Sequence, residues 1–117
     1  MTIKRLEAGP RMSQAVIHGN VVYLAGQVAM GAKGKPVKAQ TKDILNSIDR
    51  LLKEAGTDKS NLLTTNIWLA DISTFAEMNE VWDTWVSPGN PPARATVEAK
   101  LATPDFTVEI MVTAALK

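Results

Sequence analysis

The sequence predicts an α+β domain in which two helices pack on one face of a mixed β-sheet. Three observations carry that expectation. Apolar residues recur at helical spacing in two segments, residues 40–55 and 73–86. Runs of strand length, rich in Val, Ile and Thr, lie before, between and after those segments. The chain has 117 residues, enough for one sheet-plus-helix core and too few for two. A single domain over residues 1–117 is expected, in the order strands, helix, strand, helix, strand, strand.

Taken in order, the first strands are Gln14 to Ile17 and Val21 to Met30, joined as a hairpin through His18-Gly19-Asn20. The second run is apolar at almost every position, so it is expected to be covered on both faces. "GAKGKP" reads as a surface loop. It lacks the Gly-Lys-Ser/Thr ending of a phosphate cradle. From Gln40 to Ala55 the period is helical. Ile44, Leu45, Ile48, Leu51, Leu52 and Ala55 form one stripe, and Gly56 is the stop. Asp43, Asn46, Asp49, Arg50, Lys53 and Glu54 are expected to form a solvated outer face.

"NLLTTNIWLAD" reads as a strand. "STFAEMNEVWDTWV" reads as the second helix, with Ser73 or Thr74 as N-cap and Glu77 completing a capping box from Thr74. Phe75, Met78, Val81, Trp82 and Trp85 are its buried stripe, and "SPGNPP" ends it. Trp68, Trp82 and Trp85 are all expected to be largely buried. Two strands close the chain, about Ala93 to Leu101 and Phe106 to Ala115, with "ATPD" as the turn between them.

Composition narrows the chemistry. The net charge is +1, which is no footprint for nucleic acid. There is no cysteine, which excludes disulfides, thiolate metal sites and a cysteine nucleophile. His18 is the only histidine, so no zinc set can be completed and no metal site is expected. "MTIKRLEAGP" shows no leader-like apolar run, and no stretch is long enough to span a membrane; a cytoplasmic location is expected.

The last two strands alternate strictly. Ala93, Ala95, Val97, Ala99 and Leu101 fall on one side, and Arg94, Thr96, Glu98 and Lys100 on the other. Phe106, Val108, Ile110, Val112 and Ala114 are apolar; Thr107, Glu109, Met111 and Thr113 oppose them. With the apolar sides under the helices, Arg94 and Glu109 are expected on the same polar face of one hairpin. Pro91 and Pro92 stiffen the approach to Arg94. A guanidinium can clamp a carboxylate, and a nearby carboxylate can activate water. The plainer alternative is a pair of cross-strand charges on a solvated face. An open sheet face carrying both a charged pair and an apolar strand is a candidate subunit interface.

"PPARATVEAKLATPDFTVEI" resembles the C-terminal signature of the YjgF/YER057c/UK114 family, the reactive intermediate deaminases (RidA). "MSQAV", "VVYLAGQV", "AGTDKSNLL" and "DISTFAEMNEVW" follow the family's order, so the resemblance covers nearly the whole chain. It implies a chorismate-mutase-like fold and a homotrimer with clefts between subunits. It also implies cofactor-free hydrolysis of 2-imino or enamine acids to 2-keto acids and ammonia. By that resemblance, Arg94 clamps the substrate carboxylate and Glu109 orients or activates water. Gly26 offers its carbonyl to the imine nitrogen, Asn79 lines the cleft, and Thr96 contributes a backbone N–H where many members have cysteine. Members often carry "GPYSQ"; here "GPRMSQ" puts Met12 at the tyrosine position, which bears on substrate choice. The alternative on the same trimer is a non-catalytic module that binds small carboxylates. An RNA-cleaving role attached to some relatives would need a basic groove.

Overall fold

The computed structural model describes all 117 residues. Seven strands form one sheet: β1 (Ile3–Ala8), β2 (Ser13–His18), β3 (Val21–Leu24), β4 (Gln27–Val28), β5 (Leu62–Leu69), β6 (Ala93–Glu98) and β7 (Val108–Ala115). Helix α1 spans Val37–Ala55 and α2 spans Phe75–Trp85. The strand order is β1-β2-β3-β7-β5-β6, with β4 also paired to β7. Only β5 and β6 run parallel. No helix is long and apolar enough to cross a membrane.

One face of the sheet carries both helices. Ile44, Leu45, Ile48, Leu51 and Leu52 of α1 are buried with Met78, Trp82 and Trp85 of α2 against Val22, Leu24, Ile67, Leu69, Ile110 and Val112. The mixed α+β architecture and the α1 stripe are as the periodicity predicts, whereas of the expected α2 stripe only Met78, Trp82 and Trp85 are buried. Gly56 stops α1 in the left-handed region, at φ 91°, and its N–H returns to the Lys53 carbonyl. Gln40 is fully buried at the start of α1. Its Nε2 donates to the Lys35 and Asp105 carbonyls, and its Oε1 accepts from the Thr107 N–H at 2.8 Å.

Several expectations need correction. The polar strand β1 carries only one buried residue, Leu6, so its sequence gives too weak an apolar signal to be read. The run Val21 to Met30 is two strands broken at Ala25-Gly26, and Met30 lies beyond them, exposed. Its second face is open, with Tyr23 48% exposed. The final strands are not a hairpin. β5 separates β6 from β7, so residues 99–107 form a crossing loop and not a tight turn. The register pairs Thr65, Ile67 and Leu69 with Arg94, Thr96 and Glu98. Those β5 residues are buried under the helices, so Arg94 and Thr96 point to the helix side. Glu109 pairs with Trp68 and points to the open face. Arg94 and Glu109 therefore lie on opposite faces of the sheet within one chain.

The second helix is also capped differently. Thr74 makes no cap to α2, and no capping box forms. Asp71 instead accepts from the Ser73 N–H at 2.9 Å, and the Thr74 hydroxyl donates to the Asp71 carbonyl. Phe75 is 41% exposed and not in the core, and Trp68 is half-buried on the open face. The outer face of α1 does more than solvate. Asp43 accepts from the Gly31 N–H, Asp49 from Trp85 Nε1, and Arg50 pairs with Glu7.

Candidate functional site

Arg94 is the second residue of the edge strand β6, with Ala93 between it and the prolines Pro91 and Pro92. One turn of α2 and the next bring Phe75, Asn79 and Trp82 to a single stripe, because residues four and seven apart share a helix face. That stripe receives the guanidinium. Nη1 donates to Asn79 Oδ1 at 2.8 Å. Cζ lies 5.3 Å from the Trp82 ring centroid and 5.8 Å from that of Phe75. No carboxylate forms an ion pair with Arg94. Burial lowers its pKa, opposed by the field of Asp83, yet a guanidinium stays charged. The result is a partly dry cation with a neutral neighbour and most of its N–H groups unused, which favours an incoming anion.

Thr96 follows on the same face. Its hydroxyl is buried without a partner, as is that of Thr65, the register partner of Arg94. The family resemblance implies one site holding Arg94, Asn79, Thr96, Glu109, Gly26 and Met12; within one chain the structure gathers only Arg94, Asn79 and Thr96, on the helix side of β6. Sequence reasoning missed Phe75 and Trp82 as neighbours of the cation. The available signal was their spacing around Asn79, which reads equally well as ordinary core.

Glu109 and Gly26 form the second group. A Cβ on Gly26 would collide with the Glu109 carboxylate, so glycine at the break between β3 and β4 lets that carboxylate lie against the backbone. Met12 and Gly26 line a cleft of about 480 Å³ whose far wall is Asp43, Ser47 and Arg50 of α1; Glu109 is not among its lining residues. A further cleft of about 550 Å³ is lined by the crossing loop after β6 and by Ala70.

Burial alone raises the Glu109 pKa above the ordinary carboxylate range. A raised folded-state pKa means that the protonated form is favoured by folding. The stability it contributes is complete below the unfolded pKa and is lost as pH rises through the folded one. Glu109→Gln is therefore expected to match or exceed the wild-type Tm at neutral pH. That gain should vanish below the ordinary glutamate pKa of about 4.3. Melting curves at both pH values check it, and a lower Tm at neutral pH only would contradict the sign.

The comparisons with known proteins agree along the whole chain. A family model described as Endoribonuclease L-PSP matches residues 2–116. A RutC family protein of Haemophilus influenzae is 47% identical over 114 residues, covering 97% of this chain and 98% of that protein. The chain belongs to the YjgF/RutC family. The RutC family protein YoaB of Escherichia coli is 42% identical over 116 residues, 99% of this chain and all of YoaB, at 100%. A crystal structure of a YjgF-family protein from Neisseria meningitidis superposes with a TM-score of 0.96 at 44% identity, covering 100% of this chain and 97% of that one. The sheet and two helices are thus the YjgF/RutC architecture.

Proposed function

We propose that this YjgF/RutC chain hydrolyses small 2-imino acids to 2-keto acids and ammonia, without a cofactor, in clefts between the subunits of a homotrimer. The observation that carries the reading is Arg94: a partly buried guanidinium, held by Asn79 and two rings, with no carboxylate partner of its own. A 2-imino acid brings that carboxylate. Water adds to the carbon of the protonated imine, Glu109 taking one of its protons, and gives a neutral carbinolamine. Glu109 returns that proton to the nitrogen, the C–N bond breaks as the C=O bond forms, and the released ammonia carries off the hydroxyl proton as ammonium. Gly26, pressed against Glu109, offers its carbonyl to the imine N–H, and the Thr96 N–H helps to hold the carboxylate. Met12, in the cleft beside Gly26, meets the substrate side chain.

Two copies are needed because Arg94 and Glu109 occupy opposite faces. The edge strand β6 presents Ala93, Ala95 and Val97 on its exposed side, and the open face presents Tyr23 and Trp68. Such surfaces suit a neighbouring sheet, which would cover the edge and bring one copy's Arg94 toward another's Glu109. Ammonia and keto-acid release from a panel of 2-imino acids generated in situ tests the chemistry, and the uncatalysed rate throughout would refute it. Light scattering should give three times the 12.7 kDa chain mass. A stable monomer that hydrolyses imines would remove the argument for a shared cleft. Retained carboxylate binding without turnover would favour the non-catalytic binding module.

A further inference from the structure

We propose that Phe75 and Trp82 form an aromatic slot that sets the orientation of the Arg94 guanidinium before any ligand arrives, making both rings positioning residues; this rests on the carboxylate-binding reading of Arg94. The side chain starts from an edge strand, where an arginine ordinarily keeps its rotamer freedom and loses it on binding. Here the cation lies within cation–π range of two rings at once, and Asn79 Oδ1 fixes its rotation. Phe75 is 41% exposed, an unusual setting for a ring that would otherwise fill the core. Trp82 is backed in turn. Its ring lies 5.3 Å from that of Trp85, and Trp85 Nε1 donates to Asp49 Oδ2 at 3.0 Å. The slot is thus braced from α1, and its outer wall is free to be altered without opening the core.

An ammonium can also lie over a ring, but only the planar guanidinium has an orientation for the two rings to set. That difference separates positioning from packing. The protein and its Phe75→Leu, Phe75→Tyr, Trp82→Phe, Arg94→Lys, Arg94→Ala and Phe75→Leu/Arg94→Lys variants would be compared in two measurements. The first is the nitrogen NMR signal of the Arg94 Nε–H in the free protein. It should move toward the position of a freely rotating arginine in Phe75→Leu and return in Phe75→Tyr. The second is titration with pyruvate as a stable 2-keto acid. Phe75→Leu should weaken binding about 3- to 10-fold with little change in Tm, and Phe75→Tyr should restore it. In the Arg94→Lys background the same leucine substitution should cost less than about twofold. An unmoved Nε–H signal in both Phe75→Leu and Trp82→Phe, or an equal loss of affinity in the two backgrounds, overturns the slot. Wild-type pyruvate affinity in Arg94→Ala would instead overturn the carboxylate reading, and the NMR comparison still decides the slot.

Discussion

Arg94→Ala is expected to abolish 2-imino-acid hydrolysis while leaving the fold and the assembly intact. Two charge-assisted hydrogen bonds to a carboxylate are worth about 3–6 kcal/mol together, so kcat/KM should fall by about 10²- to 10⁴-fold. The fold should tolerate the change. Arg94 has no ion-pair partner to be left stranded, and only Asn79 Oδ1 loses a donor, at a half-exposed position. Arg94→Lys keeps the charge and loses the planar fork, so it should fall between the two. Steady-state imine hydrolysis beside melting curves checks the series. Wild-type turnover in Arg94→Ala would return this residue to an edge-strand charge and remove the main support for the deaminase.

The largest stability effect is expected at Trp82. Its ring is 5% exposed, packs on Trp85, and belongs to the same core as the α1 leucines. Trp82→Ala removes that ring from a packed core, at a cost of about 3–5 kcal/mol. Domains of this kind have only about 5–15 kcal/mol in total, so Tm should drop by more than about 10 °C. Thermal denaturation followed by circular dichroism measures it. Unchanged melting would mean that the packing of α2 does not depend on this tryptophan.

Periodicity made the helices legible because α1 buries a whole stripe and α2 buries Met78, Trp82 and Trp85. Ile44, Leu45, Ile48, Leu51 and Leu52 are all at 2% exposure or less. β7 was legible for the same reason, with Val108, Ile110, Val112 and Ala114 buried in alternation. Strand partnership was not. Alternation says which residues share a face, but not which face, and a shift of phase inverts every side chain. Ala93, Ala95 and Val97 looked like the core side of β6 because they are apolar, yet they face outward, and the polar side meets α2. The parallel pairing of β6 with β5 is set by contacts far apart in sequence, which adjacent strands and a turn-like "ATPD" cannot reveal. At the candidate site, the grouping of Arg94 with Asn79 came from family resemblance. Gln40 was invisible as a tether because a glutamine at a helix start reads as surface until its three partners are known.

The placement of Arg94 and Glu109 on opposite faces has a genetic consequence. In an assembly whose clefts take arginine from one copy and glutamate from the next, two defective chains can repair each other. A chain carrying Arg94→Ala still lends its glutamate, and a chain carrying Glu109→Gln still lends its arginine. Unfolded together in equal amounts and refolded, these two inactive proteins should recover about a quarter of wild-type turnover, since random ordering around a three-membered ring pairs intact residues in about one cleft in four. Each protein refolded alone should stay inactive. Activity that never returns on mixing would show that each cleft draws both residues from a single chain.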